Sequence, residues 1–443
     1  MIASSARRGA TTVPKVAIPP LAQLARLWMD PVGSLTAWAR RYGGLFALRL
    51  PAVGRVVVVG DPSAAHEVIR SDPVSSAAGA ATGRVLPLLG PLCVLRQDGD
   101  AHGERRRLLN PLFHGDGLAY HRGAVTEITR RELATWPTGQ PMPLLPRLSD
   151  LAFAVIADVV LGVTDHEDID RLHLLVKRAT GPAALAGTWL WPLGPGRLRE
   201  RTMQTVRHHQ QAVDRAIVEL LAKSAGRSSD RHDVAGLLFD RAVPRSHPPD
   251  QELLDELRAL LLVGHETTAA ALGWAVERLV REPAVLTRLE ESLIAGDQSY
   301  LEGVIREVLR WRPPVIDTVR ELTAPMALAG HLLEAGTLVV VAPLLVHHHR
   351  ELYSSPAAFV PERFVGGSAP SPATWIPFGG GTRRCLGAEL ALVEMEIVLS
   401  ELLSAFTLEP TVSRGERVRL AGTVLVPARG ATVVLSRRVA ATG

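Results

Sequence analysis

The spacing of apolar positions changes character twice along this chain. A β region comes first, Leu45–Leu50 and then Arg55–Val59, a valine run closed by Gly60. Asp61-Pro62 reads as a helix start, with Asp as N-cap and Pro at the first helical position. From about residue 100 to 311 apolar residues recur at helical spacing, interrupted by prolines at 137–146, 182–195, 244–249 and 283. Between Pro249 and Pro283 the pattern predicts one helix of about 33 residues, roughly 50 Å long and able to cross the whole molecule. After Pro313-Pro314 short apolar segments such as Thr337–Val341 predict strands. A Pro/Gly/Ser-rich stretch over 353–381 predicts a long loop, uncommon unless it has a function. A helical pattern from Ala388 to Phe406 and short strands follow. The expectation is a mainly α protein with small peripheral β-sheets, one domain over 21–443 behind a flexible N-terminus of residues 1–20.

Composition narrows the class. The chain has 443 residues, 47% hydrophobic and 21% charged, values that exclude a disordered, collagen-like or coiled-coil protein. Net charge is +4, too small an excess over this length to suggest nucleic-acid binding. Two cysteines, Cys93 and Cys385, exclude a disulfide framework and fit free thiols in a reducing cytoplasm. Pro14, Pro19 and Pro20 break the apolar stretch that a signal peptide would need. Uncharged Ala179–Gly196 is broken by Pro182, Pro192 and Pro195, so no membrane span is expected and the protein is placed in the cytoplasm.

Phe378-Gly-Gly-Gly-Thr-Arg-Arg-Cys385-Leu-Gly387 is the strongest chemical signal. It sets a lone thiol in a glycine-rich loop just before a helix N-terminus, where backbone N–H groups and the helix dipole favour a thiolate. Alone, this pattern is equally an inert cysteine beside a flexible loop. Val263-Gly264-His265-Glu266-Thr267-Thr268 is a polar island in an apolar helix, costly unless something needs it, though Thr side chains can simply bond back to carbonyls. Glu307 and Arg310 share one helical face, ordinarily a surface pair of little energetic weight.

Together these segments resemble the cytochrome P450 family of haem-thiolate monooxygenases, and the resemblance covers the chain from residue 45 to its last strands. It implies that fold, with a long central helix over haem b (iron protoporphyrin IX). Cys385 is then the axial iron ligand, Arg383 a haem-propionate partner and Phe378 a shield beside the sulfur. Gly387 completes the loop. Glu307 and Arg310 become a buried pair joined by Arg363 of Pro361-Glu-Arg-Phe364, which pins the long loop. Gly264 lets the central helix bow over the haem, and Glu266 with Thr267 relays protons to dioxygen. His102 and Arg106, one turn apart, and Arg320 complete the propionate contacts. Val263 departs from the family, which has Ala or Gly there, and crowds the space above the iron. The histidines His347, His348 and His349 are expected to be structural.

The implied activity is insertion of one oxygen atom of O2 into a hydrophobic small molecule (terpenoid, fatty-acid, steroid or polyketide-like), giving hydroxylation or epoxidation. Electrons come from a separate ferredoxin-type donor with its reductase, attracted by Arg105, Arg107 and Arg384. Rivals are a peroxide-using or isomerising enzyme of the same fold, against which the intact Glu266-Thr267 pair argues, and a non-turnover haem sensor. By position the pocket takes Val85, Leu86, Trp189, Val263, Val315 and Asp317. Asp317 either turns outward onto the N–H groups of Val319 or Arg320, or gives a greasy pocket one polar handle.

Overall fold

Two proline-initiated helices, α1 (Pro20–Met29) and α2 (Pro31–Tyr42), lead into a hairpin of β1 (Leu45–Leu50) and β2 (Gly54–Val59). The computed structural model describes residues 12–438 except 52, 87, 182–195, 225–232, 242–249, 367–369 and 372. Residues 12–19, expected within a flexible N-terminus, instead pack on β1. Val16 donates its N–H to Ala47 O at 3.0 Å, Ala47 donates to Pro14 O at 2.8 Å, and Val13 and Val16 are buried.

The valine run becomes a strand buried on both faces, as continuous apolar strands usually are. Val56–Val59 runs parallel to Leu338–Val341, pairing Val56 with Leu338 and Val59 with Val341. Thr318–Leu322 and the short Ser76–Ala77 complete a five-stranded sheet. One face packs on Ala64, Ala65 and Val68 of the helix Pro62–Arg70, and the other on Leu35 and Trp38 of α2. The capping Asp61 accepts the Ala64 N–H at 2.8 Å, as Asp-Pro foretold.

Helices build the larger core. Leu144–Leu161 is buried along most of its length and ends at Gly162, whose φ of 65° gives a left-handed cap. Against it lie Gln251–Gly264 and Glu266–Leu279. The single long helix expected here is therefore interrupted at His265. The cause is local competition for carbonyls: His265 Nδ1 lies 3.0 Å from Leu261 O, and Thr267 Oγ1 donates to Val263 O at 3.2 Å. A Cβ on Gly264 would come within 2.7 Å of Ile156, so glycine permits the close approach of the two helices. This stretch, Gln251–Leu279, is long and apolar enough to cross a membrane, but most of it is buried inside the fold.

The helix Ala388–Ala405 carries a carboxyl deep in that core. Glu394 is 2% exposed, its Oε1 has no partner, and burial pushes its pKa up to about 8. Cys93 is buried and Cys385 exposed, and both are free thiols.

Candidate functional site

The glycines of the cysteine loop are required by backbone geometry. Gly379 and Gly381 have φ of 66° and 62°, and a Cβ on Gly381 would come within 2.7 Å of the Ile69 carbonyl oxygen. Cys385 donates its N–H to Phe378 O at 2.9 Å and closes the loop before the helix Ala388–Ala405. Although Cys385 keeps accessible surface, the protein packed around it desolvates the thiol and pushes its pKa up, while the Gly387 N–H and the charges of Arg106 and Arg384 oppose that rise. Phe378 is half-buried and packs edge-on against Trp375, ring centroids 6.0 Å apart.

The loop leading to this cysteine is held by a buried ion pair. Arg310 donates to both Glu307 oxygens, Nε to Oε2 at 2.6 Å and Nη2 to Oε1 at 2.8 Å, with both side chains fully buried. Arg310 also donates to the carbonyls of His347, Pro356 and Ala358, and Glu307 Oε1 accepts the Val360 N–H at 2.7 Å. Arg363 Nε stands 3.5 Å from Glu307 Oε1, while its terminal nitrogens donate to Ser354 Oγ and Ser355 O. The loop is thus fastened mainly by backbone bonds to Arg310 and Glu307, with Arg363 as a third, longer contact. Sequence reasoning did not foresee that His347 also fastens it: its buried Nε2 accepts the Ile376 N–H at 2.9 Å.

At the helix break, Glu266 Oε1 accepts from Thr180 Oγ1 at 3.5 Å. Burial raises the Glu266 pKa, opposed by that hydrogen bond and by the nearby Lys177 charge. His173, Lys177 and Thr180 lie four and three residues apart on one helix, hence on one face. Lys177 Nζ reaches Asp150 Oδ1 at 2.8 Å, and both side chains are 43% exposed, so the helix face that carries Thr180 continues to solvent. His173 Nδ1 is 3.3 Å from the same Asp150 oxygen, and its ring stands edge-to-face with His265, centroids 5.2 Å apart. Thr180 and Lys177 carry no motif of their own; only helical spacing links them.

A cationic group lies beside the loop. Asp72, His102, Arg106, Asn110, Gly381 and Thr382 help line one cavity of about 360 Å³. His102 is buried, and burial together with Arg383 and Arg106 lowers its pKa to about 4. Arg106 donates to the Arg384 carbonyl. Arg383, expected to be a propionate partner, is instead occupied by two carboxylates, Asp72 at 3.0 Å and Asp98. Asp98 also caps the helix Ala78–Val85 by accepting from Gly79 and Ala80 N–H. Neither aspartate stands in a recognisable pattern. Arg320 is the contrasting case: it is 2% exposed, and its Nε and Nη2 have no partner among the described residues. An arginine so buried with two orphaned donors is costly unless an anion completes it, so the residues present fit a group bearing carboxylates.

Two of the three arginines expected to attract an electron donor are paired within the chain. Arg105 is paired with Glu252 and Glu256, and Arg384 with Glu389 at 2.7 Å. Arg107 is exposed and forms no ion pair among the described residues.

Several side chains keep accessible surface while their neighbours in sequence are buried. Val263, Gly264 and Thr267 do so between Leu262 and Thr268, and Val315, Ile316 and Asp317 do so after buried Pro314. Cys385 does so beside buried Leu386. Thr318 Oγ1 lies 3.6 Å from a Cβ built on Gly379, and Val315 packs with Ala270, so this segment lies between the cysteine loop and the helix Glu266–Leu279. These partly exposed positions are mainly apolar, as the walls of a small-molecule site usually are. Val85 does not belong to it: the side chain is 8% exposed and packed in the sheet core with Trp38 and Phe46. Leu86 is half-buried, and Trp189 lies outside the described residues. Asp317 does not accept from Val319 or Arg320. Its one hydrogen bond is to its own N–H, and burial pushes its pKa up to about 6.

A family model described as Cytochrome P450 matches residues 12–434. A putative cytochrome P450 135B1 of Mycobacterium tuberculosis is 38% identical over 413 residues, covering 90% of this chain and 86% of that protein. A putative cytochrome P450 138 of Mycobacterium bovis is 36% identical over 422 residues, 91% of each. Among solved structures, a retinoic acid-bound cyanobacterial CYP120A1 superposes with a TM-score of 0.81 at 24% identity over 97% of this chain and all of that one. The haem domain of cytochrome P450DA gives 0.83 at 19% identity over 98% of this chain and 99% of that one.

Proposed function

Because the chain belongs to the cytochrome P450 family, it is a haem-dependent monooxygenase supplied with O2 and electrons, and we propose that it hydroxylates or epoxidises a hydrophobic small molecule of terpenoid, fatty-acid, steroid or polyketide type. The observation that supports this reading is the set of accessible Val263, Val315 and Ile316 side chains in otherwise buried segments near the cysteine loop. Bound haem supplies the reductive activation of dioxygen and the oxygen-atom transfer.

The chain's own residues orient, shield and move protons. Cys385 would hold the haem iron through sulfur; burial favours the neutral thiol there, and the Gly387 N–H, Arg106 and Arg384 act against it in favour of the thiolate. Phe378 covers the sulfur from water. Arg320 would complete a haem propionate with its orphaned donors, and Arg106 and His102 would serve as further propionate partners. Arg383 acts through Asp72 and Asp98, ordering the loop and the helix Ala78–Val85. Thr267 holds a proton at Oγ1, and Glu266 replaces it. Glu266 is refilled along Thr180, Lys177 and Asp150, whose exposed ends meet solvent. A carboxyl whose pKa is raised by burial holds a proton more readily than an ordinary carboxylate, as a proton donor must. Val263 and Val315 narrow the space for substrate, and Gly264 lets the helix break pack closely on Ile156. A ferredoxin-type donor with its reductase delivers electrons from the sulfur side, where Arg107 is the cation open to it.

The carbon-monoxide spectrum of the reduced protein tests the ligand. Wild type should give the red-shifted thiolate band. Cys385→Ser should keep its helical circular dichroism but lose both that band and turnover. A serine variant that retained the band would overturn the assignment.

A further inference from the structure

Charge is distributed unevenly along the chain. Residues 1–60 hold eight basic side chains and one acidic, Asp30, whereas the whole chain nets only +4. Lys15, Arg26, Arg40, Arg41, Arg49 and Arg55 are all exposed, and none forms an ion pair among the described residues. Arg49 and Arg55 face each other directly across β1 and β2, where like charges are destabilising unless an anion lies over them.

These cations surround α1. Lys15 bridges to Ala47 on β1, and the Arg49 N–H is bonded to Gln23 of α1. The Ala17 N–H meets the Tyr42 hydroxyl beside Arg40 and Arg41, and the strand Val418–Ala421, packed on α1 and α2, adds exposed Arg419.

The helix itself is apolar on both sides. Gln23 and Leu24 are buried inward, yet Leu21, Trp28 and Met29 are 59%, 38% and 74% exposed. With exposed Ala25 they span about 100° of the helix circumference, an outward stripe that no described element covers. Arg26 borders it.

We propose that α1 and its basic surround are a docking surface for an anionic lipid bilayer, with the helix lying in the headgroup region and not spanning it. An acidic protein could match the cations, but it would have to offer an apolar face shaped to Leu21, Trp28 and Met29. A bilayer supplies phosphates and acyl chains together over a broad area, the arrangement that favours flexible cations around an apolar stripe with a tryptophan.

The test is co-flotation of the full-length, haem-loaded protein with vesicles of phosphatidylcholine alone or mixed with phosphatidylglycerol. Binding should be ~10-fold or more stronger to the mixed vesicles and should fall steeply with added salt, as surface charges are screened. Leu21→Ser with Met29→Ser, and separately Arg40→Glu with Arg41→Glu, should each weaken it by ~10-fold or more while the carbonyl spectrum stays wild type. Equal binding to both vesicle types, or binding indifferent to both pairs of substitutions, would overturn the proposal. So would a dimer in sedimentation that the serine pair dissolves without any vesicle binding, because the stripe would then be a self-contact.

Discussion

Glu307 and Arg310 are buried as completely as Arg320 and Glu394, but their surroundings differ. In the first region every charged oxygen and most guanidinium nitrogens meet a partner, many of them backbone groups of the long loop. In the second, Arg320 keeps two donors without acceptors and Glu394 an oxygen without a donor. A satisfied buried charge is scaffolding, complete before any ligand arrives. An unsatisfied one carries a free-energy penalty that a ligand, a proton or a substitution can relieve. The difference separates residues that hold the site from residues that wait for something.

Breaking the satisfied region should cost most. Glu307→Leu strands Arg310 and frees Val360, so stability should drop by ~3–5 kcal/mol, with loss of haem retention. Denaturant titration with and without haem checks it, and a drop below ~1 kcal/mol would put the pair among ordinary surface contacts.

Thr267→Ala should leave stability nearly unchanged and lower product formed per electron, with the missing electrons appearing as hydrogen peroxide. A loss on the order of 10² in productive turnover is the scale of a misplaced proton donor. Unchanged coupling would remove Thr267 from the proton path.

Glu394 sharpens the comparison through pH. Its folded pKa of about 8 lies above the ordinary 4.5, so between those values the unfolded chain binds fewer protons. Stability therefore falls as pH rises through that window. Glu394→Gln should flatten the fall, raising stability by several kcal/mol at pH 8 and by less than ~1 kcal/mol at pH 5. Parallel melting curves at the two pH values would show that Glu394 has found a partner.

The smallest effect is expected at Asp317. Asp317→Asn keeps shape and removes charge, so affinity for apolar ligands bearing an amine should fall by ~10-fold, and for purely apolar ligands hardly at all. Spectral titration with a matched pair of such ligands distinguishes the two.

Legibility in the sequence followed the same division. The cysteine loop, the Glu307–Arg310 pair and the polar island were readable because each packs its chemistry into a short, fixed spacing. Asp72, Asp98 and Thr180 were not, because each reaches its partner from a distant segment: Asp72 is 311 positions from Arg383, and Thr180 is 86 from Glu266. The valine strand and most helices followed from periodicity alone. Periodicity could not reveal the break at His265, where side chains take carbonyls from an otherwise unbroken apolar pattern. Nor could it tell that Val85, one residue before half-buried Leu86, faces the sheet core.

The fastening of the long loop bears on how the apoprotein meets its cofactor. Arg310 and Glu307 fix the backbone at Pro356, Ala358 and Val360 through bonds made within the chain itself. The conformational entropy of that loop is lost when the chain folds, so it does not enter the free energy of haem capture. Capture then resembles docking into a preorganised cradle, with a rate set by encounter and orientation and not by a search of the loop. Haem release is then expected to leave Pro356–Val360 in place, so that loss of the cofactor and unfolding of this segment are separate events.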